Sequence, residues 1–326
     1  MNYRFVGVLL FGLCSAGGAH AAGPQITVTL LGTGSPAPVM NRFGPSTLVE
    51  AGGQRFVFDA GRGALQRLRQ AGVRWQDVDG VFLTHLHSDH LVGFPDLWLT
   101  GWFQGPQRDR PLRVWGPPGT QRMLGLLRRA FAVEIQARIA DGAKAEGAVL
   151  IAHEIREGQV YAHDGVRISA FAVDHPPLRY AFGYRVDYGG RSVVLSGDTR
   201  HSENLVRHAT GVDLLIHEVA SPETFARAGL SAERSRPVLA HHVTPQVAGE
   251  VFRRTHPRLA VYSHIVQPSA TEADLLPATR TIYDGPVVLG EDLMVIVVGD
   301  QVQVHAAQAA PALDAAPGQA PPRQAP

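Results

Sequence analysis

The segment from His85 to His90 is the strongest chemical signal in the sequence, because it holds four potential metal ligands within six residues. It reads His-Leu-His-Ser-Asp-His and follows an apolar run, Val81–Thr84, that predicts a strand. A chain that turns here can direct the first two histidines to one cation, and Asp89 and His90 to a second. Two cations about 3.5–4 Å apart can share an oxygen that becomes a nucleophile. A solvated histidine-rich loop is the alternative interpretation.

Further polar residues fall at the ends of other predicted strands. They are Asp59, Asp198, the pair His217-Glu218, and His264. Open α/β sheets place their sites at the carboxyl ends of strands, so these side chains should meet the 85–90 segment at one edge. Burying so many polar groups without a partner would be costly, which makes a metal their natural partner.

The elements that position these residues alternate short apolar runs with helical periodicity. The predicted strands are Ile26–Leu31, Phe56–Asp59, Val81–Thr84, Leu112–Trp115, Ile168–Val173, Ser192–Ser196, Leu214–His217, Leu259–Ser263 and Met294–Val298. The predicted helices include Ala64–Ala71, Gly119–Phe131 and Pro245–Arg254, the last with Thr244 as its N-cap. No linker long enough to divide the chain is present, so we predict one layered α/β domain over residues 22–305.

Composition excludes several classes of protein. The chain has 326 residues, 45% hydrophobic and 18% charged, which excludes a wholly disordered protein. No apolar run is long enough for a membrane-spanning helix. The basic residues are arginines except for Lys144, and 29 acidic residues balance them, so the charge argues against a nucleic-acid partner.

The two ends of the chain have compositions unlike the rest. Residues 1–21 combine a positive start, the apolar stretch Phe5–Leu13 and small residues up to Ala21, which predicts a signal peptide and export to the periplasm or beyond. A buried strand and a lipid anchor at Cys14 are the alternatives. Cleavage after Ala21 would remove the single cysteine, so any metal site must use histidine and carboxylate ligands. Residues 306–326 are mostly Ala, Pro and Gln, which predicts a disordered tail.

Taken in order, the motifs resemble those of the metallo-β-lactamase superfamily, and within it the branch of ribonuclease Z and the zinc-dependent arylsulfatases. The matching motifs are Leu30-Leu31-Gly32-Thr33-Gly34-Ser35, Phe58-Asp59-Ala60-Gly61, the 85–90 segment, His175 followed by Gly183-Tyr184-Arg185, Ser196-Gly197-Asp198-Thr199-Arg200, His217-Glu218, His242-Val243-Thr244 and Val261-Tyr262-Ser263-His264. The resemblance covers nearly the whole chain after the signal peptide. It implies an α/β fold, a four-layer αββα sandwich in a single domain.

The resemblance also implies two zinc ions per chain, with Mn²⁺ and Fe as alternatives. One ion would bind His85, His87 and His175, the other Asp89, His90 and His264, and Asp198 would bridge them. Each ion would keep an open position for water, as catalytic zinc does. Asp59 would lie behind the ligands and fix them, or would instead cap the turn at Gly61.

In the ribonuclease Z pattern, the histidine of His-x-Thr donates to the leaving oxygen, and the glutamate of His-Glu orients it. Those positions are His242 and Glu218 here, and we count Asp89 with them among the catalytic groups. His241 is an adjacent alternative as the donor. The metals would lower the pKa of bound water and supply hydroxide at neutral pH.

The resemblance to ribonuclease Z stops at the grip on tRNA. That family binds tRNA through a protruding Gly/Pro- and Lys-rich arm. The segment where such an arm would be expected, residues 137–164, is short and contains a single lysine, Lys144. We therefore predict an exported dinuclear zinc hydrolase of small sulfate or phosphate esters, with arylsulfatase-like activity ahead of phosphodiesterase activity. The alternatives are ribonuclease Z-type tRNA 3′ processing, lactam or lactone opening, an iron-dependent oxygen-using enzyme, and a periplasmic metal-binding protein without turnover. The sequence leaves the oligomeric state open, a homodimer included.

Overall fold

The computed structural model describes residues 23–306. The predicted signal peptide and all but the first residue of the predicted tail lie outside the described residues. In the part of the chain that is described, no helix is long and apolar enough to cross a membrane.

Two mixed β-sheets carry helices on their outer faces. The strands are β1 (Ile26–Gly32), β2 (Ser46–Ala51), β3 (Gln54–Phe58), β4 (Gly80–Phe82), β5 (Leu112–Gly116), β6 (Leu150–Glu154), β7 (Gly158–His163), β8 (Val166–Ala172), β9 (Phe182–Tyr188), β10 (Arg191–Leu195), β11 (Leu214–Val219), β12 (Leu259–Ile265), β13 (Val287–Leu289), β14 (Val295–Val298) and β15 (Val302–His305). The α-helices are α1 (Ala64–Gln70), α2 (Phe94–Phe103), α3 (Thr120–Ala130), α4 (Ala132–Ala140), α5 (Glu203–Ala209), α6 (Pro222–Arg227), α7 (Ala232–Leu239), α8 (Pro245–Thr255) and α9 (Glu272–Arg280). Short 3₁₀ helices cover Trp75–Asp77, Ser88–His90 and Ala145–Ala148.

The strand order brings several carboxyl ends to one edge. The first sheet has the order β15-β14-β1-β2-β3-β4-β5-β6, and the second β13-β12-β11-β10-β9-β8-β7. Strands β3 to β6 run parallel in the first sheet, and β10 to β13 run parallel in the second. Polar residues that follow β3, β4 and β10 can therefore meet His264 near the carboxyl end of β12, as the sequence predicts.

The core forms three apolar layers, one between the sheets and one beneath the helices on each outer face. Between the sheets, Phe82 packs edge-on against Tyr184 with ring centroids 5.6 Å apart. The outer face of the first sheet buries Trp98 of α2 completely, and that of the second buries Phe252 of α8. These layers confirm the predicted four-layer αββα sandwich in a single domain.

Candidate metal centre

The 85–90 segment leaves β4 in an extended conformation and then turns sharply. Leu83 still pairs with the neighbouring strand through its N–H and the carbonyl of Trp115, 2.7 Å apart. The chain then closes a 3₁₀ turn over Ser88–His90, and the carbonyl of His90 accepts a hydrogen bond from the N–H of Ala60, at 2.8 Å. Both ends of the segment are therefore fixed to neighbouring strand ends.

Three histidine nitrogens and one carboxylate oxygen converge in a first cluster. The Nδ1 atom of His87 lies 3.0 Å from His85 Nε2 and 3.1 Å from His175 Nε2. Asp198 Oδ2 lies 3.7 Å from His85 Nε2 and 3.9 Å from His175 Nε2. Ligand atoms about 2.0–2.2 Å from a tetrahedral zinc ion lie a little over 3 Å from one another, so this spacing fits one ion.

A second cluster adjoins the first. Asp89 Oδ2 lies 3.6 Å from His90 Nε2 and 3.4 Å from His264 Nε2. Asp198 Oδ2 also approaches this pair, 3.4 Å from His90 Nε2 and 3.3 Å from His264 Nε2. The structure thus brings all seven predicted ligands together, in the two groups that the family resemblance implies.

Asp198 is the member common to both clusters. Its Oδ2 atom lies within 3.9 Å of four histidine nitrogens. Burial raises the pKa of Asp198, but His264, His90 and His85 outweigh burial and hold it well below its ordinary value. Asp198 is therefore ionised at neutral pH and suits a bridging position between two cations.

Two buried atoms test whether this donor set fits metal ions. Asp198 Oδ1 and His90 Nε2 have no hydrogen-bond partner among residues 23–306. A buried polar atom without a hydrogen-bond partner costs free energy, and coordination to a cation removes that cost. The His/Asp clusters are therefore compatible with a dinuclear metal site.

The imidazoles of the first cluster have the neutral form that binds metals. Burial lowers the pKa of His175 to about 4 and lowers that of His85 well below its ordinary value. Both histidines of the second cluster differ, because nearby carboxylates outweigh burial and raise their pKa values: Asp198 and Asp59 for His90, and Asp198 and Asp89 for His264. A bound cation would favour the neutral form there as well.

Asp59 lies directly behind the second cluster. Its Oδ2 atom is 2.7 Å from His90 Nδ1 and accepts a hydrogen bond from Thr84 Oγ1 at 2.8 Å, while Oδ1 accepts from the Thr84 N–H at 2.8 Å. A proton on His90 Nδ1 is thereby held on the side away from the cluster, which leaves Nε2 free for a metal. The carboxylate does not cap the turn, because the N–H of Gly61 donates to the carbonyl of Pro45.

Two polar contacts behind the histidines of the first cluster could not be recognised in the sequence. His175 Nδ1 donates to the backbone carbonyl of His241 at 3.0 Å, and His85 Nδ1 lies 2.9 Å from Thr84 Oγ1. Each contact fixes a ring orientation and directs Nε2 into the first cluster. A carbonyl belongs to every residue type, so only the fold identifies the one that faces His175.

Backbone strain also concentrates at this site. Asp59 and His264 adopt left-handed conformations, with φ of 58° and 44°. Such conformations cost non-glycine residues on the order of 1 kcal/mol or more and persist where the surroundings enforce them. The N–H of Ile265, next to His264, donates to the carbonyl of Thr33 at 2.8 Å and holds this strand end in place.

Glu218 and His242 form a polar pair beside the clusters. Glu218 is buried at the end of β11, and its Oε1 atom accepts hydrogen bonds from the N–H groups of Val243, at 3.0 Å, and Thr199, at 3.4 Å. Its Oε2 atom lies 3.2 Å from His242 Nδ1, although the two are not aligned as a hydrogen bond. Burial, followed by the charge of Asp198, raises the pKa of Glu218 well above its ordinary value.

His242 adjoins both clusters, through His175 of the first and through Asp198 and His264. One of its ring nitrogens lies within 4.8 Å of ligand atoms of both Asp198 and His264, and burial lowers its pKa to about 4. His241 also approaches the first cluster: one of its ring nitrogens lies within 4.8 Å of ring nitrogens of His175 and His242, and its ring packs edge-on against His175, with centroids 4.9 Å apart. His217 joins neither cluster, because its Nδ1 atom bonds the carbonyl of Glu218 at 2.8 Å inside β11.

Comparisons with known proteins agree with this architecture. A family model described as "Beta-lactamase superfamily domain" matches residues 54–265. A ribonuclease Z from Mycobacterium sp. (strain KMS) is 36% identical over 284 residues, which cover 86% of this chain and 97% of the relative. Among solved structures, the metallo-beta-lactamase fold protein YhfI from Bacillus subtilis superposes with a TM-score of 0.66 at 18% identity, covering 84% of this chain and 99% of that one. Human tRNase Z, short form, gives a TM-score of 0.61 at 23% identity, covering 83% and 98%.

The family match includes the 85–90 segment, Asp198 and His264. The ribonuclease Z relative is matched over nearly its entire length, so the likeness extends beyond the metal motif. The chain therefore belongs to the metallo-β-lactamase superfamily, with ribonuclease Z among its relatives, and is a metal-dependent hydrolase of ester bonds.

Proposed function

We propose that the protein hydrolyses phosphodiester bonds of RNA, in the manner of ribonuclease Z in tRNA 3′ processing. The observation that carries the proposal is the Glu218–His242 pair beside Asp198, at positions where the ribonuclease Z pattern has its leaving-group donor. The relatives at 36% identity support this alternative better than the predicted hydrolysis of small sulfate or phosphate esters by an exported enzyme. They also favour a nucleic-acid substrate, against the expectation from charge alone.

The chain's own residues divide the reaction between binding and proton transfer. The seven clustered ligands would hold two divalent cations, which lower the pKa of bound water and neutralise phosphodiester charge. Burial raises the pKa of Glu218 and lowers that of His242, so both groups favour their neutral forms. We assign Glu218 to orient His242 through Nδ1, while the other ring nitrogen donates to the leaving oxygen.

The test is cleavage of a tRNA precursor with a 3′ trailer by the metal-loaded protein, in parallel with bis(p-nitrophenyl) phosphate and p-nitrophenyl sulfate. Precursor cleavage at the trailer junction that is lost in Asp198→Ala would support the proposal. Turnover of the sulfate ester without any cleavage of RNA would reject it.

A second candidate is hydrolysis of small phosphate or sulfate esters. The observation that favours it is the compactness of residues 137–164, which form the end of α4, a 3₁₀ turn and the strands β6 and β7. No arm projects from this segment in the described structure. Selective turnover of the small phosphodiester, with the RNA precursor left intact, would favour this candidate.

Together with the second candidate, and not with tRNA processing, we also propose that the protein is exported, on the pattern of residues 1–21. Export would separate the enzyme from tRNA precursors, so localisation bears on the choice of substrate. Mass spectrometry of the protein from a periplasmic or culture fraction should find an N-terminus after Ala21. An intact N-terminus in the cytoplasm would contradict export and favour tRNA processing.

A further inference from the structure

We propose that a small inorganic anion of the size of chloride binds at Arg108, where α2 meets the 3₁₀ helix Trp75–Asp77. The site goes beyond the proposed function, because neither Arg108 nor Trp75 bonds a member of the metal clusters in the described structure. Arg108 lies in the loop between α2 and β5, and only 2% of its surface is exposed. Burial lowers the pKa of Arg108 to about 10, which still leaves it charged at pH 7.

The surrounding backbone fixes this side chain in place. The N–H of Arg108 donates to the carbonyl of Trp102 at 3.0 Å, and its Nη2 atom donates to the carbonyl of Trp75 at 3.1 Å. A Cβ atom at Gly147 would lie 2.0 Å from the Arg108 carbonyl oxygen, so only glycine allows this approach. Gly101 of α2 faces both side chains, because a Cβ atom placed there would lie 3.2 Å from Arg108 Nη2 and 3.4 Å from Trp75 Cδ1. The guanidinium and the indole therefore border the same face of α2.

Three donors at this point have no acceptor among residues 23–306. They are Nε and Nη1 of Arg108 and Nε1 of Trp75, and all three atoms are buried. Buried donors without acceptors are rare in folded proteins, and several around one guanidinium indicate a ligand.

The nearby carboxylates do not neutralise Arg108. Asp77 pairs with Arg74 at 2.9 Å, Asp79 with Arg110 at 2.9 Å, and Asp109 with Lys144 at 3.1 Å. Each of the three acids thus has a cation of its own, and within residues 23–306 Arg108 is left as a buried positive charge without a counter-charge.

A bound anion would supply both the missing hydrogen-bond acceptors and the missing negative charge. Water would accept hydrogen bonds from the orphan donors, but it would leave the buried charge uncompensated. A monatomic anion accepts from several N–H groups and supplies the missing charge. The structure therefore favours chloride at this site over water.

Thermal unfolding of the metal-loaded, full-length protein tests the proposal, with sodium chloride compared against sodium gluconate at equal ionic strength. Chloride at about 100 times its Kd should raise the unfolding midpoint by roughly 5 °C. The gain should vanish in Arg108→Met and persist in the control Arg253→Met, because Arg253 is paired with Glu250 on the surface of α8. Equal midpoints of the wild-type protein in the two salts, or the same gain in Arg108→Met, would overturn the proposal.

A crystallographic measurement keeps the proposal testable if Arg108→Met fails to fold. Crystals of the wild-type protein grown in bromide should show an anomalous peak within hydrogen-bond distance of Arg108 Nε or Nη1. Well-ordered density for both side chains without such a peak would refute the anion site.

Discussion

Replacing Asp59 with asparagine should weaken the second metal position while leaving the first intact. Asp59 bonds Thr84 through both of its oxygens, and its Oδ2 atom also faces His90 Nδ1 at 2.7 Å. The asparagine amide can present its oxygen to only one side. If the amide nitrogen faces His90, the ring must carry its proton on Nε2 and loses its lone pair for metal. If it faces the Thr84 N–H, a buried backbone donor loses its partner at a cost of about 1–3 kcal/mol.

The expected size of this effect follows from the role of the contact. Residues that orient a metal ligand typically contribute 10–100-fold in metal affinity, or about 1.4–2.8 kcal/mol. Asparagine tolerates the left-handed backbone at position 59, where φ is 58°, so the substitution adds little strain of its own. The second cation should therefore bind 10–100-fold more weakly in Asp59→Asn.

Competition with a chromophoric chelator would measure both stepwise affinities. The matched control is Asp292→Asn, another buried carboxylate, which bonds the N–H groups of Thr33 and Phe43 and the guanidinium of Arg67. That variant should lose stability and keep both metal affinities. Wild-type affinity for two cations in Asp59→Asn would refute the orienting role of this carboxylate.

The remaining predictions concern proton transfer and stability. His242→Ala should lower turnover of substrates with poor leaving groups by about 10²–10⁴-fold, and turnover of p-nitrophenol esters much less. The metal content should stay unchanged. An equal loss of turnover for both kinds of substrate would contradict the role of His242 as a proton donor. Glu218→Gln should reproduce this leaving-group dependence in weaker form, whereas His241→Ala should not show it in steady-state assays. Burial lowers the pKa of His217 to about 4, so between pH 6.5 and 4 the unfolded chain binds the proton and the folded protein does not. The free energy of unfolding therefore falls as the pH decreases. Between pH 7 and pH 5, urea unfolding should show that His217→Gln loses about 2 kcal/mol less of this free energy than wild type does. An identical loss of stability in both proteins would show that a group other than His217 causes the pH dependence.

The sequence predicts many of the buried strands and misses exposed ones such as β7, but it also misses β2 and β9, which are largely buried. Strand β12 is buried along its whole length and reads as an apolar run, so its residues predict it directly. Strand β7 is exposed or half-buried at every position, and no apolar pattern marks it. All nine predicted strands and the three predicted helices have counterparts in the structure, whereas β2, β6, β7, β9, β13 and β15 were not predicted.

Some residues of the candidate site could be predicted from the sequence, and others could not. Spacing alone indicated the 85–90 segment, because its ligands are neighbours in the chain. Asp198 and His264 stand at the ends of predicted strands, His175 was identified through the family resemblance, and all three required the fold to bring them together. The carbonyl of His241 behind His175 and the left-handed backbone of His264 could not be predicted, because both depend on tertiary packing rather than residue type.

Anomalous diffraction from zinc-loaded crystals at the zinc absorption edge tests the central claim most directly. The structure predicts two peaks about 3.5–4 Å apart, one on each side of Asp198 Oδ2. One peak should adjoin His87 and His175, and the other Asp89 and His264. A single peak, or two peaks that do not share Asp198, would contradict the dinuclear centre proposed for this enzyme.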